Sequence, residues 1–161
     1  DRLRAVRLRS GHLAALRRFH ESEPMMRLIG GMREAEWTAE YLANHVLHWE
    51  RHGFGFYLLH DRATGEATGL GGLRTMYLDG VTELEVGYAF LPERWGLGLA
   101  TEVTTAFLGM ARELAEFTSV VAVIHPDNAG SIRVVERLGF ELDRSYEHEQ
   151  GVRLIYRRER F

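Results

Sequence analysis

The chain has 161 residues, a formal net charge of −3 and no cysteine. This length is sufficient for one domain with a buried core. The absence of cysteine excludes disulfides, thiolate metal sites and a cysteine nucleophile. All 20 residues of the Lys and Arg class are arginines, so a lysine base or Schiff base is excluded too.

The slight acidity argues against nucleic acid as the main partner, because phosphate binding requires a basic surface. No apolar run approaches the roughly 20 residues that span a bilayer. Residues 1–6 do not resemble a signal peptide, because no long apolar stretch follows the charges. We therefore expect a cytoplasmic protein with no membrane partner. Because repeats and Pro-rich linkers are absent, one domain over 1–161 is the simplest organisation.

The first third of the chain predicts a strand and two helices. Alternation predicts a strand over residues 4–9, and Ser10 is a good N-cap for the helix that follows. After a loop around Gly30-Gly31, a second helix is predicted over roughly 34–51. The inward residues are expected to be Leu13, Leu16 and Phe19 in the first helix, and Trp37, Tyr41, Leu42, Val46 and Trp49 in the second. Trp37 and Tyr41 have a second interpretation, as the lining of an acceptor pocket.

Three strands and a helix are predicted next. The strands cover residues 54–60, 68–77 and 82–90, and Asp79-Gly80 is a strong hairpin signal between the last two. A helical stripe over about 97–114 follows. The β-branched run 120–124 predicts a strand that is buried on both faces.

The rest of the chain predicts a helix and two closing strands. The helix starts at Pro126-Asp127-Asn128 and ends at Gly139 as a left-handed cap. The strands cover about 140–147 and 152–159. The crossover from strand 82–90 through helix 97–114 makes strands 82–90 and 120–124 parallel neighbours. Ligands of open α/β sheets bind beyond the carboxyl ends of such strands.

The segment Trp95-Gly96-Leu97-Gly98-Leu99-Ala100 lies at that end of strand 82–90. Glycines there let an anion approach the backbone, and the unpaired N–H groups of the helix start favour phosphate. A plain turn that needs glycine for its dihedral angles has the same spacing. Asn128 and Ser131 stand at the next helix start, where ordinary N-capping is the alternative to a role in the cleft.

Two longer segments carry a family resemblance. Residues 84–102, from Leu84-Glu85-Val86-Gly87 to Ala100-Thr101-Glu102, and residues 128–140, from Asn128-Ala129-Gly130-Ser131 to Leu138-Gly139-Phe140, resemble the signatures of the GNAT superfamily of N-acetyltransferases. Within it, they are most similar to the RimJ/RimL-like ribosomal-protein-alanine N-acetyltransferases. The resemblance implies a mixed α/β fold with a twisted, mostly antiparallel sheet. It also implies helices on both faces and one parallel strand pair that forms a V-shaped cofactor cleft.

The resemblance implies acetyl-CoA as co-substrate, no metal, and transfer to a primary amine. The pantetheine arm would bind like an added strand along residues 87–91, with a backbone N–H near Phe90 polarising the thioester carbonyl. Gly87 suggests a bulge or a close backbone approach that splays the parallel strands. The implied cofactor-binding residues are Tyr88, Phe90, Leu91, Trp95, Gly96, Leu97, Gly98, Leu99, Ala100, Thr101, Asn128 and Ser131.

Two positions depart from the general superfamily pattern. Trp95 stands where that pattern opens with Gln or Arg, although the RimJ/RimL-like branch commonly has Trp. Backbone amides, not a side-chain cation at that place, are therefore expected to bind most of the phosphate. Val135 stands where many members carry the tyrosine that protonates the leaving thiolate.

Three residues are candidates for proton transfer. Glu85 is the preferred base, acting through a water, and Glu83 lies two residues before it on the same strand. The alternative for both is a solvent-facing charge, with Arg74 as a possible partner on the neighbouring strand. Ser131 is either a proton relay to the thiolate or a plain cofactor hydrogen bond. With no cysteine available for an acyl-enzyme, direct attack in a ternary complex is predicted.

The sequence permits more than one interpretation of metal binding, of the acceptor, of the oligomeric state and of the function. His45, His48 and His52 have a spacing that suits a metal, but a solvated or semi-buried helix face is favoured. The acceptor is a small molecule or a protein N-terminus, chosen by loops at roughly 23–35 and 145–151. The chain is expected to be a monomer or a homodimer. The alternative function is a non-catalytic acyl-CoA-binding sensor.

Overall fold

The computed structural model describes residues 2–159, with the exception of the His148 side chain. In this part of the chain the strands are β1 (Leu3–Arg7), β2 (Phe56–Asp61), β3 (Ala67–Leu78), β4 (Val81–Phe90), β5 (Ser119–Ile124), β6 (Glu141–His148) and β7 (Gly151–Glu159). The α-helices are α1 (Leu13–His20), α2 (Glu23–Met26), α3 (Ala35–His52), α4 (Leu99–Ala111) and α5 (Ala129–Arg137). Short 3-10 helices occupy Ser10–His12 and Pro92–Arg94.

The strands form a mixed sheet in the order β1-β2-β3-β4-β5-β7-β6. β4 and β5 are parallel, with Glu85 opposite Val121, as the crossover predicted. The pairs β1–β2, β2–β3, β5–β7 and β6–β7 are antiparallel. Asp79 and Gly80 both have positive φ angles, of 50° and 89°, which confirms the predicted hairpin turn between β3 and β4.

The chain divides into two compact units, and the first contains residues 1–72 and 88–99. Its core combines the apolar stripes of α1 and α3 with the inward residues of β2 and β3. The buried members are Leu8, Leu16, Phe19, Met25, Leu42, Phe56, Leu58, Leu70 and Leu91. The predicted inward positions Leu16 and Phe19 of α1 are therefore confirmed.

The second unit contains residues 73–87 and 100–161. Leu78, Val121 and Ile155 form a fully buried cluster, with Met76 and Tyr146 packed against it. The β-branched strand β5 is buried along almost its whole length, as predicted. After α5, Gly139 has a φ of 80° and ends the helix in the left-handed conformation that the sequence predicted.

Two predicted features of the first helices are wrong. Ser10 is not an N-cap, because a 3-10 turn already begins there and the Arg9 N–H donates to His12 Nδ1 at 3.3 Å. Trp37 does not belong to the core, since it is 39 % exposed. The smaller residue Thr38 and the ring of His45 are buried on α3 in its place, beside Leu42 and Trp49.

The two predicted loops also contain regular structure. Residues 23–35 include α2, whose Met25 and Met26 are buried, and residues 145–148 belong to β6. Periodicity missed α2 because four residues are too short to show a helical repeat. Among residues 2–159, no helix is both long and apolar enough to cross a membrane.

Candidate functional site

The segment between β4 and α4 has an open glycine backbone. Gly96 and Gly98 have φ angles of 73° and 76°, in the left-handed region that glycine tolerates best. This conformation at Gly98 explains why α4 begins at Leu99 and not at the predicted residue 97. A Cβ atom added to Gly96 would have no heavy atom within 4 Å, and residues 95–98 are exposed. The turn can therefore be approached closely by a ligand.

The start of this turn is held by its own side chains. The Trp95 indole N–H donates to the Phe90 carbonyl oxygen at 2.8 Å, although 52 % of the residue is exposed. Arg94 donates to Asp61 Oδ2 at 2.7 Å. Hydrogen bonds from the Ala63 and Thr64 N–H groups, together with Arg94, hold the pKa of Asp61 below its usual range. The indole N–H of Trp95 is thus directed to the backbone of the protein itself.

The end of the turn contacts a residue that the sequence did not single out. Arg2 Nη1 donates to the Leu97 carbonyl oxygen at 2.7 Å. Arg2 Nη2 lies 3.7 Å from the position that a Cβ atom of Gly98 would occupy. No sequence spacing could reveal this contact, because it joins residues that are 95 positions apart.

The carboxyl end of β4 directs successive backbone groups to opposite sides. The Leu91 N–H donates to the Thr68 carbonyl at 3.0 Å, toward β3. Because backbone groups alternate along an extended strand, the Phe90 N–H and carbonyl point away from β3. The Phe90 carbonyl accepts the Trp95 indole N–H on that side. The Phe90 N–H, our candidate for polarising a carbonyl, has the same direction.

Glu85 is a buried carboxylate in an ion pair. It is only 6 % exposed, and its Oε2 accepts a hydrogen bond from Arg74 Nε on β3. The proposed partner Arg74 is therefore correct, but the solvent-facing alternative is wrong. This contact engages one of the two carboxylate oxygens of Glu85.

Glu83 is held more completely than Glu85. Arg157 Nη2 donates to Glu83 Oε1 at 2.6 Å and Arg157 Nη1 donates to Oε2 at 3.1 Å, so both carboxylate oxygens are engaged. The residue is 9 % exposed, which again excludes a solvent-facing charge. Ser119 and Asp143 also accept hydrogen bonds from Arg157. The hydrogen bond to Glu83 contributes most to raising the pKa of Arg157 above its ordinary value.

The start of α5 has the N-cap geometry that was one of the two interpretations of Asn128 and Ser131. Asn128 is the N-cap, and its Oδ1 accepts the Ser131 N–H at 3.1 Å. Val135, at the place of the expected tyrosine, is fully buried. Tyr156 on β7 reaches α5 nearby and donates its hydroxyl to Glu136 Oε1 at 3.3 Å.

The candidate residues are shared between the two units. The first unit contains Tyr88, Phe90, Leu91, Trp95, Gly96, Leu97, Gly98 and Leu99, and the second contains Glu83, Glu85, Ala100, Thr101, Asn128 and Ser131. His48 Nδ1 lies 2.9 Å from the Phe54 carbonyl oxygen, and its ring packs 4.5 Å from that of His52. Residues 2–159 contain no group of three or more potential metal ligands.

Comparison with known proteins agrees with this architecture. Residues 2–141 match the acetyltransferase (GNAT) domain family. The uncharacterized protein YkkB of Bacillus subtilis is 26 % identical over 137 residues, which are 85 % of this chain and 80 % of that protein. An acetyltransferase structure from Agrobacterium tumefaciens superposes with a TM-score of 0.85 at 26 % identity, covering 99 % of this chain and 92 % of that one.

The fold also resembles RimL, the ribosomal L7/L12 alpha-N-protein acetyltransferase, solved in complex with coenzyme A. The TM-score is 0.81 at 16 % identity, over 99 % of this chain and 95 % of that one. Because the family match covers most of the chain, and the element order and the parallel pair β4–β5 agree with it, this protein belongs to the GNAT acetyltransferase family.

Proposed function

We propose that this chain is an acetyl-CoA-dependent N-acetyltransferase that acts, as one domain, on a primary amine. The open, left-handed turn at Gly96 and Gly98, between β4 and α4, is the observation that carries the proposal. A helix start with exposed N–H groups and a positive dipole end stabilises phosphate. The pyrophosphate of the co-substrate would bind the amides of residues 96–101.

The residues present fit that co-substrate. Gly96 leaves its backbone uncovered, and anchoring of the turn by Trp95 and Arg94 keeps it ordered before a ligand arrives. Preorganisation of this kind reduces the entropy that binding must otherwise lose. Acetyl-CoA would supply a thioester whose carbonyl carbon accepts the amine.

Three groups of the protein would serve the transfer. The Phe90 N–H would donate to the thioester oxygen as negative charge develops there. Glu85, through a water, would take the proton that the amine loses. The amine nitrogen would form a C–N bond to the acetyl carbon while the C–S bond breaks. Ser131 would relay a proton from a solvent water to the departing sulfur, taking one proton as it gives one, because the side chain of Val135 has no acidic proton.

Glu85 is a better candidate base than Glu83. Arg157 engages both oxygens of Glu83, whereas the pair with Arg74 involves a single oxygen of Glu85.

The test is release of CoA thiol from acetyl-CoA across a panel of primary amines, with peptide N-termini and small-molecule amines as separate arms. We expect turnover with at least one class and an increase in melting temperature with CoA. If CoA and acetyl-CoA both fail to stabilise the protein, the proposed cofactor is wrong.

The residues found at the positions of the expected acid and base support a second function. Both candidate carboxylates are ion-paired with arginine, and the expected tyrosine acid is a buried valine. A non-catalytic acyl-CoA sensor would keep the cofactor turn without this chemistry. Stabilisation by acetyl-CoA without thiol release on any amine would support the sensor over the enzyme.

A further inference from the structure

An arginine just before α3 has no acidic partner. Arg33 lies two residues before the start of α3, and its backbone N–H donates to the carbonyl of His20, the last residue of α1, at 3.0 Å. Its side chain is partly buried, and its Nε is inaccessible to solvent and makes no hydrogen bond. Among residues 2–159, no carboxylate forms an ion pair with this guanidinium. A buried donor of a charged group costs folding free energy when it is unpaired, so Arg33 is a cation that this part of the chain leaves without an anion.

Arg33 belongs to a cluster of aromatic side chains. Its Cζ lies 4.5 Å from the centroid of the Trp37 ring, and the partly exposed Trp37 stacks on Tyr41 at 5.2 Å. His20 packs edge-on against both rings, and its lowered pKa keeps it neutral at physiological pH. A cation–π contact attracts a guanidinium but leaves its charge uncompensated. The cluster therefore presents one uncompensated positive charge beside an aromatic surface.

The aromatic cluster belongs to the same unit as the carboxyl end of β4. Tyr41 packs against the buried hydrophobic core that includes Leu91, the residue that follows β4. Ala89, on β4 itself, packs against the same core. The Phe90 N–H, proposed to polarise the thioester carbonyl, lies between these two positions in the chain. Shared packing thus connects the aromatic cluster to the segment where the acetyl group is proposed to lie.

The partner that Arg33 lacks has the chemistry of a carboxylate. A guanidinium fork binds a carboxylate through two parallel N–H···O bonds. A carboxylate carries one negative charge, which one guanidinium compensates, whereas a phosphate monoester carries about −1.5 to −2 at pH 7. The exposed face of Trp37 would contact an apolar part of the same ligand. A molecule with these two groups and the amine that the reaction needs has the chemistry of an amino acid.

We propose that Arg33 binds the carboxylate of the acceptor, and that the acceptor is a free amino acid or a similar small amine that carries a carboxylate. The inference rests on the proposed function, because it names the substrate class of that reaction. It disfavours two other classes of primary amine. A protein N-terminus has its α-carboxyl group in a peptide bond, and an amino sugar carries no carboxylate.

The test measures kcat/KM for CoA thiol release with the free L-amino acids and with their carboxamides, which lack the negative charge. Peptide amides that begin with the same residues form a third arm. The variants are Arg33→Gln, Arg33→Lys and the control Arg27→Gln. Arg27 is an exposed arginine at the end of α2, so the control causes the same change in net charge close by in the chain. Ligand-free melting temperatures verify folding.

The quantity compared is the ratio of kcat/KM for each free amino acid to that for its carboxamide. Because every variant is measured on the same pairs, differences in amine basicity cancel. We expect the wild type to prefer free amino acids, and Arg33→Gln to lower this ratio about 10- to 100-fold, the usual effect of losing a hydrogen bond between charged groups. Arg33→Lys should retain part of the preference, since it keeps the charge but not the planar fork. Arg27→Gln should behave as the wild type.

An equal ratio in the wild type and Arg33→Gln would overturn the inference, because Arg33 would then not bind the carboxylate. Turnover confined to amines without a carboxylate, peptide amides included, would also overturn it. Absence of thiol release with every amine is a different result. It removes the proposed function itself, independently of any Arg33 variant.

Discussion

The geometry of individual ion pairs distinguishes the two buried carboxylates of this protein. Glu83 and Glu85 are both nearly inaccessible and both paired with arginine, yet the pairs differ in geometry. Arg157 closes over both oxygens of Glu83, while Arg74 contacts one oxygen of Glu85. Two carboxylates two positions apart on one strand are thus assigned different expected roles, one structural and one in proton transfer.

We predict that Glu85→Gln lowers kcat by about 100-fold with little change in CoA affinity, because a base contributes about 10²–10⁴-fold to rate. Glu83→Gln is the matched control. It should reduce stability by about 1–3 kcal/mol, since Arg157 loses a charge-assisted partner, and should change kcat much less. Steady-state kinetics and urea unfolding check both variants. An unaltered pH–rate profile in Glu85→Gln would exclude Glu85 as the base.

A negative charge at Gly98 should interfere with phosphate binding at the glycine turn. Asp at position 98 would present a carboxylate where the phosphate is proposed to bind and would attract the Arg2 guanidinium, 3.7 Å from its Cβ position. We expect Gly98→Asp to abolish measurable CoA binding. Gly98→Asn is the control, because Asn has nearly the same shape and tolerates the left-handed conformation. In calorimetric titrations, Gly98→Asn should bind CoA more weakly than the wild type does, and Gly98→Asp should show no binding of CoA. Equal affinities would disprove this location of the phosphate.

Among the elements, the start of α5 combines a structural role with a proposed functional one. The Asn128 side chain caps the helix by accepting the Ser131 N–H, so the arrangement explains the residue type without any ligand. A role toward the cofactor would have to be additional to this cap. Substitutions that retain the cap can separate the two roles.

We predict that Asn128→Ala destabilises the protein by about 0.5–2 kcal/mol, the usual effect of removing an N-cap. Asn128→Asp should keep the cap and most of the stability, but its negative charge should weaken CoA binding if the side chain lies near a phosphate. Urea unfolding and CoA titration give the two readouts. If Asn128→Asp binds CoA as tightly as the wild type, Asn128 is only a helix cap.

Across the whole molecule, folding stability is linked to a buried histidine. His20 is 3 % exposed, its Nδ1 lies 2.9 Å from Thr38 Oγ1, and Trp37 and Tyr41 pack edge-on against its ring. Burial, and then the charge of Arg33, lowers the pKa of His20 from 6.5 to about 4. The folded state therefore resists a protonation that the unfolded state accepts.

Proton linkage gives the direction in which folding stability changes with pH. Between pH 6.5 and about 4, the unfolded chain binds more protons than the folded one at His20, so stability falls as pH falls. The contribution of neutral His20 to the free energy of unfolding is fully present above pH 6.5. It amounts to roughly 3 kcal/mol over this pH window, at about 1.4 kcal/mol per pKa unit. We predict a shallower pH dependence of the unfolding free energy in His20→Asn, measured by urea titration between pH 7.5 and 4.5. Equal slopes in the two proteins would contradict the assignment.

The order of the elements could be predicted from the sequence because its signals are local. Asp79-Gly80 specifies a hairpin turn, Gly139 a helix end, and the β-branched run of β5 a buried strand, each through dihedral or packing preferences of neighbouring residues. The same local chemistry made the glycine turn recognisable. Short elements such as α2 have too few residues for a periodic signal, and Ser10 was misassigned because His12 provides the capping atom.

By itself, then, the sequence determined the order of the strands and of the four longer helices, the crossover that makes β4 and β5 parallel, and the place of the glycine turn. Only the tertiary structure decided that Arg157 pairs with Glu83 and that Arg2 contacts the turn at Leu97; the pair of Arg74 with Glu85 was already a possibility from the neighbouring strands. The physical reason is that both contacts are made by long, flexible arginine side chains between segments that are distant in the chain. No periodicity or spacing encodes such pairs, because they depend on which backbones become neighbours after folding.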